Sequence, residues 1–261
     1  MEEELQSMVD VAFDAAVQAG EIQRDHYEKK NLDIEMKGRI DLVTEVDLLC
    51  EKAITDAITE NFPDHGILAE EGTSINSNSP YQWIIDPLDG TTNFAHGFPL
   101  FAVSIGLVKD GEILLGVIYD PLREELFSAT KGGGASLNGF PIKTSETKQL
   151  ERSLVATGFP YDVKTNPRNN LDNFNRVIME VRAVRRPGAA AVDLAYVACG
   201  RLDGFWEQRL QPWDMAAGAL LVAEAGGLVT DMKGAPLDLF GETLCAGNRN
   251  IQPQLLDLLV D

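Results

Sequence analysis

Cysteine and histidine are scarce in this chain, three of each in 261 residues, and basic side chains are outnumbered, 22 Lys and Arg against 41 Asp and Glu. The cysteines, Cys50, Cys199 and Cys245, lie far apart in apolar surroundings without C-x-x-C spacing, so neither a disulfide framework nor a zinc knuckle is expected. A reducing cytoplasm is the expected compartment. The formal charge, 22 − 41 = −19, opposes a broad field that would attract nucleic-acid phosphates, so no nucleic-acid partner is expected. A phosphorylated small molecule would need metal cations to bring it in. No apolar run reaches membrane-spanning length, and Met1-Glu2-Glu3-Glu4 lacks the basic-then-apolar start of a signal sequence, so neither insertion nor export is expected. Gly132 to Gly134 have no G-x-x-x-x-G-K-[ST] context, which excludes a P-loop, and repeats, low-complexity tracts and linkers are missing too.

What is present suits a globular chain, 44% hydrophobic and 24% charged, forming one compact domain or two tightly packed halves. Leu5, Met8, Val9, Ala12, Phe13, Ala16, Ala19 and Ile22 recur at helical spacing, and the helix is expected to close near residues 28–31. A second helix is expected from Thr44, as N-cap, to about Asn61, with Asp47 at the capping-box position. Strands are expected at 32–36, 67–69, 126–129, 153–157, 202–207, 228–230 and 243–246. A hairpin is expected to join 101–108 to 112–119 through Asp110-Gly111. Further helices are expected at 171–181, 189–198 (ended by Gly200), 215–225 and 253–260, with 211–214 a turn. Strand runs with a hairpin and no regular βαβ alternation predict an α+β fold of layered sheets and helices.

The stretch Trp83-Ile84-Ile85-Asp86-Pro87-Leu88-Asp89-Gly90-Thr91-Thr92-Asn93-Phe94 stands out, since an apolar strand is expected to stop abruptly at two carboxylates, a proline and a Gly-Thr-Thr turn. Two acids turned toward one point, with backbone N–H groups free beside them, suggest a metal and phosphate site. Other acids also fall at element ends: Asp41 with Asp47, Glu70 with Glu71, and Asp214. Hard divalent cations need several oxygen ligands, which these segments could supply if the fold gathers them. Each acid also has a structural reading: Asp214 suits an N-cap, Asp47 a first-turn acid, and Glu70-Glu71 a solvated strand end. His26, His65 and His96 belong to no paired motif and are expected to be structural. Arg185-Arg186 is too short for a nucleic-acid patch and is expected to tie a loop or subunit interface to carboxylates.

Asp86-Pro87-Leu88-Asp89-Gly90-Thr91-Thr92-Asn93-Phe94, Trp213-Asp214-Met215-Ala216-Ala217-Gly218 and Glu224-Ala225-Gly226-Gly227 closely resemble the signatures of the inositol monophosphatases, and Asp41 to Asp47 and Ala69-Glu70-Glu71 match in order and approximate spacing. The resemblance runs from the first helix to the last. It implies a Mg²⁺-dependent, lithium-sensitive phosphatase with a layered α-β-α-β-α fold, commonly a homodimer, most metal ligands lying in residues 1–145 and the substrate pocket in 146–261. Carried over by position, Glu70, Asp86 and the Leu88 carbonyl would bind one Mg²⁺, and Asp86, Asp89 and Asp214 a second. Glu70 would reach a weaker third through water. Thr91 and Asp47 would orient and help deprotonate the attacking water, and the N–H groups of Gly90 and Thr91 would hold phosphate oxygens. Glu207 would accept from ring hydroxyls, Gly188, Ala189 and Ala190 would form a small-residue turn against the ring, and Asp193 would line the pocket; Ala189 stands where many relatives carry Ser or Thr. The expected reaction is hydrolysis of myo-inositol monophosphate, the alternatives being fructose 1,6-bisphosphate or another small phosphate ester. A different class of role, as a protein-binding accessory factor of the transcription machinery, also fits some bacterial relatives.

Overall fold

The computed structural model describes residues 2–27, 34–36 and 42–259. Helix α1 (Glu2–Tyr27) buries Met8, Ala12, Ala15, Ala16 and Ala19 along one stripe, small residues that let a helix lie close to its neighbours. Strands β1 (Ile34–Met36) and β2 (Leu42–Thr44) pair antiparallel ahead of helix α2 (Glu45–Asn61). Then follow β3 (Gly66–Ala69), β4 (Ser74–Ile75), β5 (Tyr81–Asp89), the short helix α3 (Thr91–Ala95), β6 (Ala102–Lys109), β7 (Glu112–Asp120), β8 (Glu125–Thr130), β9 (Gly134–Leu137) and β10 (Phe140–Pro141). The remainder comprises β11 (Leu154–Thr157), α4 (Leu171–Ile178), β12 (Ala183–Arg185), α5 (Ala190–Ala198), β13 (Gly204–Gln208), α6 (Pro212–Glu224), β14 (Leu228–Thr230), β15 (Thr243–Gly247) and α7 (Ile251–Leu256).

An eight-stranded sheet runs β10-β9-β8-β7-β6-β5-β3-β4, antiparallel except where β3 lies parallel to β5. A five-stranded sheet runs β12-β11-β13-β15-β14. Three cores separate the layers. Ala12, Ala16, Cys50 and Ile54 pack α1 and α2 on one face of the large sheet with Trp83, Ile85 and Val103. Leu194, Val197, Ala217 and Leu221 set α5 and α6 between the two sheets, and Val177, Trp206 and Leu255 place α4 and α7 outside the small one. The order is α-β-α-β-α. Among the described residues no helix is long and apolar enough to cross a membrane.

Several boundaries differ from the sequence reading. The strand expected to stop at Asp86 continues to Asp89 through a bulge, Asp86 facing Ser104 and Asp89 facing Ala102, so two residues oppose one between them. Pro87 costs the ladder nothing there, having no N–H to lose, and the Leu88 N–H is taken by Asp86 Oδ1 at 2.9 Å. The expected Gly-Thr-Thr turn is the start of α3. Helix α6 begins at Pro212, not 215, because proline suits the first helical position; Gln211 is therefore the N-cap and Asp214 the third helical residue. Strands β9 and β12 were unexpected: both are short, and β9's Gly-Ala-Ser-Leu holds strand geometry by pairing with β8 on one side and β10 on the other. Helix α4 ends at Ile178, short of 181, and α7 spans 251–256 instead of 253–260. The hairpin turns as expected, Asp110 and Gly111 both having positive φ. Asp41, the 37–39 loop and the Thr44 cap lie outside the described residues and side chains.

Helix α6 crosses the large sheet where a side chain has no room. A Cβ at Gly116 would lie 2.6 Å from the Ala217 carbonyl oxygen and 2.9 Å from its Cα, and one at Gly106 2.8 Å from the Ala216 Cβ. Backbone atoms cannot rotate aside, so Gly116→Ala is expected to destabilise the fold by about 1–3 kcal/mol, the usual range for overpacking. Urea unfolding measures it; an unchanged midpoint would show that the helix can stand off the sheet.

Candidate active site

Parallel pairing of β3 and β5 explains how two acids sixteen positions apart in the sequence come together. Ala69, the last residue of β3, aligns with Ile85, so Glu70 emerges beside Asp86 of β5, and the Glu70 N–H donates to the Ile85 carbonyl at 3.1 Å. The bulge then carries Asp89 over to the second half of the chain. Its carboxylate accepts from the first N–H groups of α5: Ala190 at 3.1 Å, Ala191 at 2.8 Å and Val192 at 3.4 Å. A carboxylate at a helix N-terminus meets both free donors and the positive end of the dipole. The Ala190 N–H is thus spent on Asp89, while Gly188 and Ala189 remain at the cleft surface.

Gly90 follows at φ 96°, a left-handed conformation that a side chain would strain, and a Cβ there would meet the Leu100 carbonyl at 3.1 Å. That reversal starts α3 and turns Thr91 toward α2. The Thr91 hydroxyl lies 3.0 Å from Asp47 Oδ1 and 3.1 Å from the Leu88 carbonyl oxygen; its one proton can serve only one of them at a time. Asp47, in the first turn of α2, is 1% exposed. Asp214 comes from α6, its Oδ2 accepting the Gln211 N–H at 2.6 Å, while Ser104 Oγ donates to the Trp213 carbonyl and binds that helix start to β6.

Glu70, Asp86, Leu88, Asp89, Gly90, Thr91 and Asp214 line one cleft of about 470 Å³ together with Gly188, Ala189, Ala190, Asp193 and Glu207, while Asp47 stands behind Thr91. Burial, then the charges of Glu70, Asp89 and Asp214, push the Asp86 carboxyl well above the ordinary range. Burial lifts Asp89 to about 7 despite the lowering effect of the α5 N–H groups, and lifts Asp214 to about 7 against the Gln211 N–H. Glu207 rises to about 8 through enclosure and the charge of Asp214, partly offset by Arg186. Asp193 is raised by burial and by Glu207, and its Oδ1 has no hydrogen-bond partner. As the side chains stand, no three Asp, Glu, His or Cys among the described residues close on a single point as a ligand set. Asp89 and Asp214 are turned instead to backbone donors.

Sequence reasoning missed the residues that hold this arrangement from behind. Gln23 of α1, fully buried, donates to the Pro87 carbonyl at 2.8 Å inside the bulge. Asn93 Nδ2 donates to Leu100 at 2.8 Å and Pro187 at 2.9 Å, joining α3 to the turn before α5. Both were hidden, since a lone amide in a helix carries no local signal; Asn93 at least sits inside the motif. Arg186 lines the cleft and its charge lowers the Asp193 and Glu207 carboxyls, but among the described residues it makes no hydrogen bond or ion pair to either, so the expected tie is not found; Arg185 Nη1 donates to Val184. His65 is structural, accepting from Trp83 Nε1 at 3.1 Å and stacking on Tyr81. His96 ends α3, and the His26 ring bonds the Ile22 carbonyl.

Comparison with known proteins agrees along the whole chain. The model of the inositol monophosphatase family matches residues 4–261. Inositol-1-monophosphatase of Synechocystis sp. is 45% identical over 98% of this chain and 90% of its own length. Nus factor SuhB of Salmonella typhimurium is 43% identical over 95% of this chain and 94% of its own. The crystal structure of extragenic suppressor protein suhB from Bartonella henselae superposes with a TM-score of 0.92 at 43% identity, covering 97% of this chain and 98% of that one. With the family model spanning nearly every residue and the cleft built from the matching motifs, the chain belongs to the inositol monophosphatase family.

Proposed function

We propose that this protein is a Mg²⁺-dependent phosphatase that hydrolyses myo-inositol monophosphate to inositol and phosphate. The observation that carries the reading is the gathering of acids: Glu70, Asp86, Asp89 and Asp214 line one cleft, and the largest charge effects on Asp86 come from the other three carboxylates. Oxygen-only donors with excess negative charge are the chemistry of a hard divalent cation. Glu70, Asp86 and the Leu88 carbonyl would hold one Mg²⁺, Asp86, Asp89 and Asp214 a second, and Glu70 a weaker third through water. When bound, Mg²⁺ acidifies a water and offsets charge on the phosphate and the departing oxygen.

The chain's own groups do the rest. With Asp47 accepting the Thr91 proton, the Leu88 carbonyl is left for the cation and a Thr91 lone pair faces the cleft, where it accepts from the attacking water and draws its proton toward the Asp47 pair. Backbone N–H groups of Gly90 and Thr91 hold phosphate oxygens for in-line attack. Glu207 accepts from ring hydroxyls, Gly188 and Ala189 give the ring a flat wall, and Ala190 acts through Asp89. The name of the Synechocystis relative supports inositol monophosphate over fructose 1,6-bisphosphate. Lithium sensitivity, a homodimer and a cytoplasmic location belong to the same proposal. The name of the Salmonella relative supports a second role as a protein-binding factor of transcription, and Asp89→Asn is expected to abolish turnover while leaving such binding intact; loss of both would point to misfolding or metal-dependent assembly.

Phosphate release across inositol, fructose and nucleoside phosphates, with Mg²⁺ and with lithium added, tests the reading; no turnover on any of them would end it. Asp47→Asn and Thr91→Val are each expected to lower kcat by about 10²- to 10⁴-fold with circular dichroism unchanged. Near-normal turnover in both would remove the pair from the reaction. In EDTA, the raised carboxyls bind protons more tightly folded than unfolded, so stability is greatest below the ordinary carboxylate range and is lost as pH rises toward 8. Thermal unfolding from pH 5 to 8 is expected to show a falling Tm, a shallower fall in Glu207→Gln, and a nearly flat line with Mg²⁺.

A further inference from the structure

Behind Glu70 lies a buried acid that the proposed reaction does not use. Glu51 of α2 is 5% exposed and its carboxylate accepts three donors from the turn after β3: the Glu71 N–H at 2.7 Å, the Thr73 N–H at 3.1 Å and the Thr73 hydroxyl at 2.5 Å. The turn is also closed on itself, Ala69 N–H to Thr73 carbonyl at 2.9 Å. Glu70 therefore sits between two fixed peptides, its own N–H held by Ile85 of β5 and the next N–H held by Glu51. With both neighbouring peptides tied, the direction of its Cα–Cβ bond is set before any ligand arrives.

Glu51 lies four residues after Asp47, one turn along the same face of the helix. One face of α2 thus holds the Thr91 hydroxyl at one level and the Glu70 turn at the next. We propose that Glu51 is a positioning residue that aims Glu70 at the cation site, so that α2 sets the spacing between the proton-handling pair and Glu70. This rests on the metal-dependent reading above. Glu51 touches neither substrate nor metal; it acts through the peptide units of residues 71–73. Outer groups that orient metal ligands typically govern 10- to 100-fold in affinity.

The test compares wild type, Glu51→Gln, Glu51→Ala and Thr73→Ala. In metal-free protein, amide hydrogen exchange at Glu71 and Thr73 is expected to quicken in both Glu51 variants. Mg²⁺ binding by calorimetry without substrate is expected to weaken about 10- to 100-fold in Glu51→Ala and less in Thr73→Ala, which loses one bond of three. The Mg²⁺ needed for half-maximal turnover is expected to move in parallel, while kcat recovers at high Mg²⁺. Unchanged Mg²⁺ affinity with a lowered Tm would overturn the proposal and leave Glu51 a stabiliser of the turn. If Glu51→Ala does not fold, Glu51→Gln and Thr73→Ala decide by the same titration, Gln offering an amide donor where a donor must be accepted. Wild-type protein that binds no Mg²⁺ would overturn the metal reading itself, and the first titration shows this before any variant is made.

Discussion

Like charges held together out of water are the constraint on which the rest of this structure depends. Asp86 and Asp89 come from one strand and Asp214 from a helix far along the chain, and burial raises the carboxyl of each. Such a group is stable only where the scaffold supplies donors and rigid supports. The fold does so with backbone: the Leu88 N–H for Asp86, three N–H groups of α5 for Asp89, and the Gln211 N–H for Asp214. Among the described residues, no arginine or lysine side chain bonds to these three carboxylates. Neutral donors hold the carboxylates in place without cancelling their charge, which leaves that charge for a cation.

The layered architecture follows from the same need. A site fed by β3, β5, α2, α5 and α6 requires both sheets to approach one point, and small residues permit the approach. Gly106 and Gly116 let α6 lie directly on the large sheet, and the alanines of α1 do the same on the opposite face. Above the cleft, Asn93 joins the turn before α5 to α3. The two halves also meet away from the site, through apolar packing and through polar bonds such as Arg201 to Glu125 and the Gly132 and Gly134 N–H groups to Glu224.

Much of this was legible in the sequence, for definite reasons. Helical spacing marked α1 and α2, Asp110-Gly111 marked the hairpin, and the clustered acids marked the cleft, because each is a local pattern. The bulge was not legible: Asp86 and Asp89 look like the end of a strand until β6 is seen to pair on both sides of Pro87. Asp214 looked like a cap because its neighbour Gln211 is a less familiar one. Gln23 and Glu51 left no trace, and Asn93 showed only as a member of the motif without its role, since their partners lie 64, 20 to 22, and up to 95 positions away. Side-chain to backbone bonds across such distances have no sequence pattern.

Asp89 accepting from α5 has a consequence beyond holding the acid still. The helix that donates to it begins at Ala190, directly after Gly188 and Ala189 of the cleft lining. Under the proposed reaction, a cation arriving at Asp89 or a proton lost from it would act on the first turn of α5, and so on residues 188–190 of the cleft lining. Selectivity and reactivity here share one mechanical part. A change of preferred ester achieved at 188–190 would shift the cation requirement with it, and the two properties would drift together.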